Sequence, residues 1–412
     1  MTPPFSPSRS PGARQRFPFL PLLALLAAFP PLSTDMYLPA IPILQRLWNE
    51  PPRLVNLTLV GFFVSYCFFL LIYGPLSDRF GRRPPLMFGI GLFVLACGGC
   101  AMARGLVWMI LCRVLQAAGA ASASAMALAI SKDVFEGKER ERLLAHIGII
   151  MALAPMLAPI LGGWVLTGFS WRWIFGVQAA IGLFALIGVA RMPETSPEPE
   201  AIQARRVAGV YLELLANRRY LGFALMMALI VMPLFAFIGG STDIYITRMG
   251  LSEQTFGFFF GFNASAMMAG SIACTWFLRR GNSKALLTTG FSGIMLAGLG
   301  LLIGPRTGPW AMALPMFLMT FSLGLGRPPS NHLVLEQVDR NAGAASSLLV
   351  FIYFMLGAFS MWLISLDWPD KIGTIGLMAA ANGGGVLLVW LGMLRGAARQ
   401  TTAPAGEGRS GG

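Results

Sequence analysis

The stretch Gly74-Pro75-Leu76-Ser77-Asp78-Arg79-Phe80-Gly81-Arg82-Arg83-Pro84 decides how the rest of the chain is read. It crowds Asp78, Arg79, Arg82 and Arg83 into a short interval between two apolar runs, at roughly 54–76 and 85–103. Each run has about the 20 residues that a helix needs to cross the hydrocarbon of a bilayer. Gly81 permits a tight turn, Asp78 falls at a helix end, and Arg82 and Arg83 are offered to acidic partners. Asp133 or Glu136, just past the fourth apolar run, are the candidate partners. The stretch reads as a loop between membrane helices whose charges form a latch, able to hold one face of the molecule shut.

The pattern repeats outward in both directions. Apolar spans are predicted at roughly 17–40, 54–76, 85–103, 106–131, 143–168 and 171–191, then at roughly 219–247, 253–278, 285–304, 308–328, 342–366 and 371–394. Between the sets lies a polar, proline-rich linker, 192–218, with Glu194 to Glu200 and Arg205-Arg206. The composition agrees: 56% of the 412 residues are hydrophobic and 12% charged, against about 25% charged in an ordinary soluble domain. The domains expected are a six-helix bundle over 1–191, a cytoplasmic linker, a second bundle over 219–394 and a disordered cytoplasmic tail over 395–412.

Lys and Arg fix the orientation. With the N-terminus inside, 23 of the 31, Arg327 and Arg340 among them, count as inner, and seven as outer. Only Arg113 lies deep in a span. The bias persists across every loop, which puts both termini in the cytoplasm and implies a multi-pass protein of the bacterial inner membrane. A net charge of +13 would suggest nucleic acid in a soluble protein, but here the basic residues are dispersed between apolar runs, and no nucleic-acid partner is expected. Cys97 and Cys100 have CxxC spacing without His or acidic companions and read as packing residues.

Four residues are candidates for proton chemistry. Asp35 lies about five residues inside the outer end of the first span, roughly 8 Å deep at 1.5 Å per residue. An ionised carboxylate is costly there, which makes it a candidate proton carrier. Arg113, at comparable depth in the fourth span, must face a partner or a watery cavity; it is expected to tune Asp35, with Gln116 one turn below on the same face. Ser33-Thr34-Asp35-Met36-Tyr37-Leu38 is echoed by Ser241-Thr242-Asp243-Ile244-Tyr245-Ile246 at the end of the seventh span, with four of six residues the same. The echo suggests two repeated halves. It makes Asp243 either a second titratable carboxylate or a solvated helix end.

Pro155, Pro159, Gly162 and Gly163 should bend the fifth span and let a neighbour approach closely. Aromatic residues and 23 Met supply an adaptable apolar lining, with Tyr37, Tyr66, Asn263 and Tyr353 the polar or aromatic candidates for substrate contact. No phosphate-binding loop, zinc spacing or nucleophile elbow is present in the sequence. The chain is therefore not expected to be an enzyme or to hold a metal or cofactor, and its energy should come from an ion gradient.

The Gly74–Pro84 segment resembles the loop signature G-x-L-[AS]-D-R-x-G-R-[KR]-x of the major facilitator superfamily. Asp35 to Pro42, Arg113 to Gly119, Trp171 to Phe175 and the Pro155–Gly163 segment extend the resemblance to its bicyclomycin/chloramphenicol-resistance (Bcr/CflA) branch of drug:proton antiporters. Ala154 and Ala158 depart from the antiporter motif, which has glycines there. The second half matches mainly in layout and in Asn341 to Ser347. The resemblance implies an all-α integral membrane fold, with 12 transmembrane helices in two pseudo-symmetric six-helix bundles. It implies a gating role for Gly74, Asp78, Arg79, Gly81, Arg82, Arg83 and Asp133, and proton coupling through Arg113 and Gln116. The expected activity is proton-coupled export of small hydrophobic drugs or metabolites by alternating access, by a monomer in the lipid bilayer. A proton-coupled importer of one small solute, or a non-transporting membrane receptor, are the alternatives.

Overall fold

The computed structural model describes residues 19–196, 204–279, 283–305 and 307–402. Among them are 12 helices long and apolar enough to cross a membrane. In order they are Phe19–Trp48, Pro52–Phe80, Arg83–Ala101, Leu106–Val134, Gly137–Gly168 and Arg172–Arg191, then Arg218–Arg248, Glu253–Leu278, Ser283–Ile303, Pro309–Leu335, Ala342–Ile364 and Lys371–Gly396. They are called the first to twelfth spans below. With no water to satisfy backbone groups inside a bilayer, a helix that bonds its own backbone is the form such apolar runs take.

Helix pairing shows the internal repeat more clearly than the sequence echo does. In the first half the third span packs on the sixth and fourth, the second on the fourth, and the first on the fifth. In the second half the ninth packs on the twelfth and tenth, the eighth on the tenth, and the seventh on the eleventh. The same pairings recur six spans later, giving two six-helix bundles related by pseudo-symmetry. Two further contacts join the bundles, the fifth span against the eighth and the second against the eleventh. These also exchange under the repeat.

One end of the molecule carries the Gly74–Pro84 loop and is called the basic end. At the opposite end the bundles are sealed. Asn56 Nδ2 donates to Gly239 O at 2.9 Å and to Ser365 Oγ at 2.7 Å, tying the second span to the seventh and eleventh. Small residues make the other seam possible, because only a missing Cβ lets two helix backbones meet. A Cβ on Gly257 of the eighth span would stand 2.7 Å from Pro159 O of the fifth.

Several boundaries differ from the sequence reading. The first span runs to Trp48 rather than 40, so Asp35 stands thirteen residues from that end and not five, and the fifth starts at Gly137 rather than 143. The tenth span runs to Leu335 rather than 328, so Arg327 lies about two turns inside the helix rather than at its inner end. Pro328 and Pro329 lie inside this helix, where a proline is tolerated because neighbouring groups compensate. Within the linker, Ala204–Ala216 is a helix. The last helix continues to Thr402, into the stretch read as a disordered tail, whose remaining residues 403–412 lie outside the described ones.

Candidate functional site

The polar centre of the first bundle begins with a broken helix. Prolines cannot donate a backbone hydrogen bond, and the first span is divided around Pro30, Pro31, Pro39 and Pro42 into Phe19–Ala27, Phe29–Asp35, a short 3-10 turn and Ile41–Trp48. Asp35 ends the second piece and is buried, 5% exposed. Thr34 Oγ1 donates to its Oδ1 at 2.9 Å, and no cation lies within ion-pair distance of it among the described residues.

Arg113 is fully buried. Its Nη1 donates to Ser33 O at 2.8 Å and to Gln116 Oε1 at 2.5 Å. The guanidinium lies 4.7 Å from the Tyr37 ring centre and 4.3 Å from that of Phe62, and its Nε and Nη2 meet ring faces rather than acceptors. Arg113 thus grips the backbone of the first span two residues before Asp35, not the carboxylate. Gln116 passes the connection on: its Nε2 donates to Gln178 Oε1 at 2.7 Å, and Gln178 Nε2 donates to Leu32 O at 2.9 Å. Gln178, on the sixth span, escaped the sequence reading because a single glutamine in an apolar run carries no spacing signal. The result is a closed polar ring across the first, fourth and sixth spans, every amide of which is spent holding Arg113 and the broken helix.

The four candidates for substrate contact separate. Tyr37 is sealed behind Arg113, its hydroxyl 2.9 Å from Thr58 Oγ1. Asn263 Oδ1 accepts from Thr320 Oγ1 at 2.9 Å, tying the eighth span to the tenth. Tyr66 and Tyr353 lie by the centre of the molecule. Tyr66 meets Phe354 at 5.3 Å between ring centres, and Phe63 of the second span meets Phe235 and Phe354 at 5.4 and 5.5 Å. This aromatic cluster crosses from one bundle to the other. Behind it, in the second bundle, is a pocket of about 150 Å³ whose walls include Met227, Leu234, Phe235, Phe354, Tyr353 and Arg327.

At the basic end, Gly81 adopts φ +87°, the left-handed region that glycine enters without strain. The turn aims Arg82 back into the bundle, where its Nε bonds Asp133 Oδ2 at 2.7 Å and its Nη1 bonds Asp78 Oδ1 at 2.5 Å. Of the two candidate partners, Asp133 is the one used. Arg83 donates through its guanidinium to Ala190 O, and Arg79 lies over the Phe80 ring. Gly74 meets no neighbour that a Cβ would crowd. The latch closes the loop onto the fourth and sixth spans of its own bundle. Glu194, read from sequence only as part of the linker, completes it: its carboxylate accepts from Arg82 N at 2.7 Å and Arg83 N at 3.1 Å. Partial burial works against its charge, but the backbone N–H groups of Ser196, Arg82, Arg83 and Thr195 outweigh that and hold its carboxyl below the usual range. This carboxylate sits at the N-terminus of the third span, where the helix dipole also favours it.

Pro155 and Pro159 lie inside the unbroken helix Gly137–Gly168. The glycines set its contacts. A Cβ on Gly162 would lie 2.2 Å from Met36 O, beside Asp35, and one on Gly163 would lie 2.6 Å from Glu253 O of the other bundle. The fifth span therefore touches both the broken helix and the bundle seam.

Asp243 is neither free nor solvated. Its Oδ2 accepts from Lys371 Nζ at 3.0 Å and Arg248 Nε at 3.1 Å, and both Asp243 and Lys371 are buried.

Twelve membrane-crossing helices in two repeated six-helix sets, a buried polar network in the first set and a pocket in the second mark a membrane transporter. The sequence agrees with this class: residues 23–361 match the family described as Major Facilitator Superfamily. The chain belongs to the major facilitator superfamily, a family of membrane transporters and not of enzymes. It is 32% identical to the MFS-type transporter YdgK of Bacillus subtilis over 91% of this chain and 95% of that one. It is 27% identical to a bicyclomycin resistance protein homolog of Haemophilus influenzae, over 85% and 90%, and 27% identical to the multidrug transporter MdfA of Yersinia pestis, over 95% and 96%. These names fit the Bcr/CflA branch. Among solved structures, a D-xylose-proton symporter superposes with a TM-score of 0.71 at 14% identity, over 91% of this chain and 96% of that one. The nucleoside transporter NupG gives 0.73 at 13%, over 91% and 98%; at such identities the likeness concerns the fold alone.

Proposed function

We propose that the protein exports small hydrophobic compounds in exchange for protons, by rocking its two bundles against each other. The observation that carries this reading is Asp35: a carboxylate buried in the wall of an apolar bundle, at a break in its helix, with one hydroxyl donor and no cation in contact among the described residues. Such a group is tolerated at low cost only if it can be neutralised, so a proton is its natural partner. The Arg113–Gln116–Gln178 ring supports the same reading, because it holds the helix break in register without neutralising the carboxylate. The names of the bicyclomycin-resistance and multidrug relatives support export.

In this reading the chain works as a monomer in the bacterial inner membrane, with the basic end and both termini in the cytoplasm and the seam at Asn56 closing the outer face. Substrate enters the pocket from inside. Protonation of Asp35 from outside favours the turn inward, and loading of substrate favours release of the proton to the cytoplasm.

The test is energised accumulation of a fluorescent lipophilic dye in cells expressing wild type, Asp35→Asn or Arg113→Ala. Wild type lowers accumulation; a protonophore or either substitution raises it to the level of cells without the protein. Unchanged accumulation in wild type at verified expression refutes broad export, and uptake of a single solute driven by protons would establish the importer instead.

A further inference from the structure

Because the tenth span continues to Leu335, Arg327 stands eight residues inside it, about 12 Å from its end at 1.5 Å per residue. A cation at that depth requires a carboxylate, a ring face or a watery cavity. The other deep or buried cations have theirs. Arg113 has two rings and a carbonyl, Lys371 has Asp243, and Arg82 has Asp78 and Asp133. Arg327 has no carboxylate within ion-pair distance among the described residues; its Nη1 reaches Met267 Sδ at 3.9 Å, a weak acceptor. Its side chain is exposed and forms part of the pocket wall.

The polar neighbours in that wall have spent their protons on the protein. Tyr353 OH donates to Asn331 Oδ1 at 3.1 Å, and Ser330 Oγ donates to Gly326 O at 2.6 Å. The guanidinium is then the strong donor left facing the pocket. The remaining wall, including Met227, Leu234, Phe235 and Phe354, is apolar, and its volume of about 150 Å³ matches that of a cavity holding one benzene-sized ring. Charge at one end and a ring-sized apolar body at the other define the complement.

We propose that Arg327 is an anion subsite, which holds the carboxylate or another oxyanion of a small aromatic or similarly compact organic anion whose apolar body fills the pocket. A guanidinium fork matches a carboxylate with two parallel hydrogen bonds. The proposal rests on reading this pocket as the transport cavity. It adds a charge class to the substrates: weak organic acids in their ionised form, as they exist in the cytoplasm.

The experiment is calorimetric binding of benzoate, with neutral benzamide as its isostere, to the purified full chain in detergent and without any ion gradient. Wild type binds benzoate at least about tenfold more tightly than benzamide, the range of a charge-assisted hydrogen bond. Arg327→Gln loses that preference while still binding benzamide as wild type does, which also establishes that the variant is folded. Arg327→Lys keeps part of the preference, since the charge remains and the fork is lost. Equal binding of the two probes to wild type, or a preference that survives Arg327→Gln, overturns the proposal. A lipid phosphate is the other source of the same chemistry, so the titration is repeated in nanodiscs of phosphatidylglycerol and of phosphatidylcholine. Benzoate preference retained in both supports the solute site. Preference abolished by phosphatidylglycerol, with that lipid stabilising wild type but not Arg327→Gln, assigns the cation to lipid and overturns it. A negative result here leaves proton-driven export standing, because binding is read without a gradient and without Asp35.

Discussion

Asp35 and Asp243 occupy equivalent places in the two halves, each as the third residue of a Ser-Thr-Asp segment in the first span of its bundle, yet their surroundings are opposite. Asp35 has one threonine hydroxyl and an apolar wall; Asp243 is clamped between Lys371 and Arg248. The basic loops differ in the same way. The first half spends Arg82 on Asp78, Asp133 and, through its backbone, Glu194, whereas the loop between the eighth and ninth spans, Arg279-Arg280-Gly281-Asn282-Ser283-Lys284, has no acidic residue in its sequence to pair with its cations. A repeated scaffold has been loaded with charge asymmetrically. The first bundle carries a buried carboxylate with no cation in contact among the described residues and a loop locked by ion pairs. The second carries a carboxylate locked by ion pairs and, in Arg327, a cation left available to a ligand.

The comparison breaks most visibly at Asp243. If that carboxylate is structural, Asp243→Asn leaves Lys371 buried without its counter-charge and destabilises the protein by about 3 kcal/mol. Thermal unfolding in detergent measures this, and Asp243→Asn combined with Lys371→Met recovers much of the loss. Dye export per folded molecule stays close to wild type, unlike Asp35→Asn. Export abolished by Asp243→Asn at wild-type stability would make the two carboxylates functional equals and collapse the distinction.

A smaller effect is expected at the seam, where both halves contribute. Gly257→Ala sets a methyl 2.7 Å from Pro159 O, and the overpacking costs about 2 kcal/mol. The cost falls on the sealed conformation, so nitroxide labels on Arg53→Cys and Asp367→Cys, exposed at the sealed end on opposite bundles, should show a longer distance population that wild type lacks. An unchanged distance distribution would mean that the fifth and eighth spans adjust without parting.

The smallest effect concerns the latch. Glu194 has a carboxyl held below its ordinary value of 4.5 in the folded protein. Its contribution is therefore complete above the ordinary value and is lost as pH falls through the lower, folded one. Glu194→Gln should cost about 1 kcal/mol at neutral pH, the figure being kept low because the group is only partly buried. It should also flatten the acid side of the stability curve. A variant whose curve retains the full acid loss would place the responsible carboxylate elsewhere, with Asp78 and Asp133 the next to substitute.

Much of this architecture was legible in the sequence because a bilayer demands long apolar helices and leaves charge in the loops; the spans, the linker and the basic loop follow from those two demands. The same reasoning singled out Asp35 and Arg113, since a charge in an apolar run is conspicuous. What the sequence left open was partnership. Asp133 rather than Glu136 receives Arg82, Glu194 and Gln178 join networks whose members lie far apart in the chain, and Asp243 finds Lys371 across more than a hundred residues. The sequence predicts that the tenth span ends near 328; in the fold it continues through Pro328 and Pro329 to Leu335, which sets Arg327 well inside the helix and in the pocket wall. Burial and periodicity are properties of a segment and can be read locally. Which charges meet depends on how helices from different parts of the chain are brought together, and that was decided by the tertiary structure.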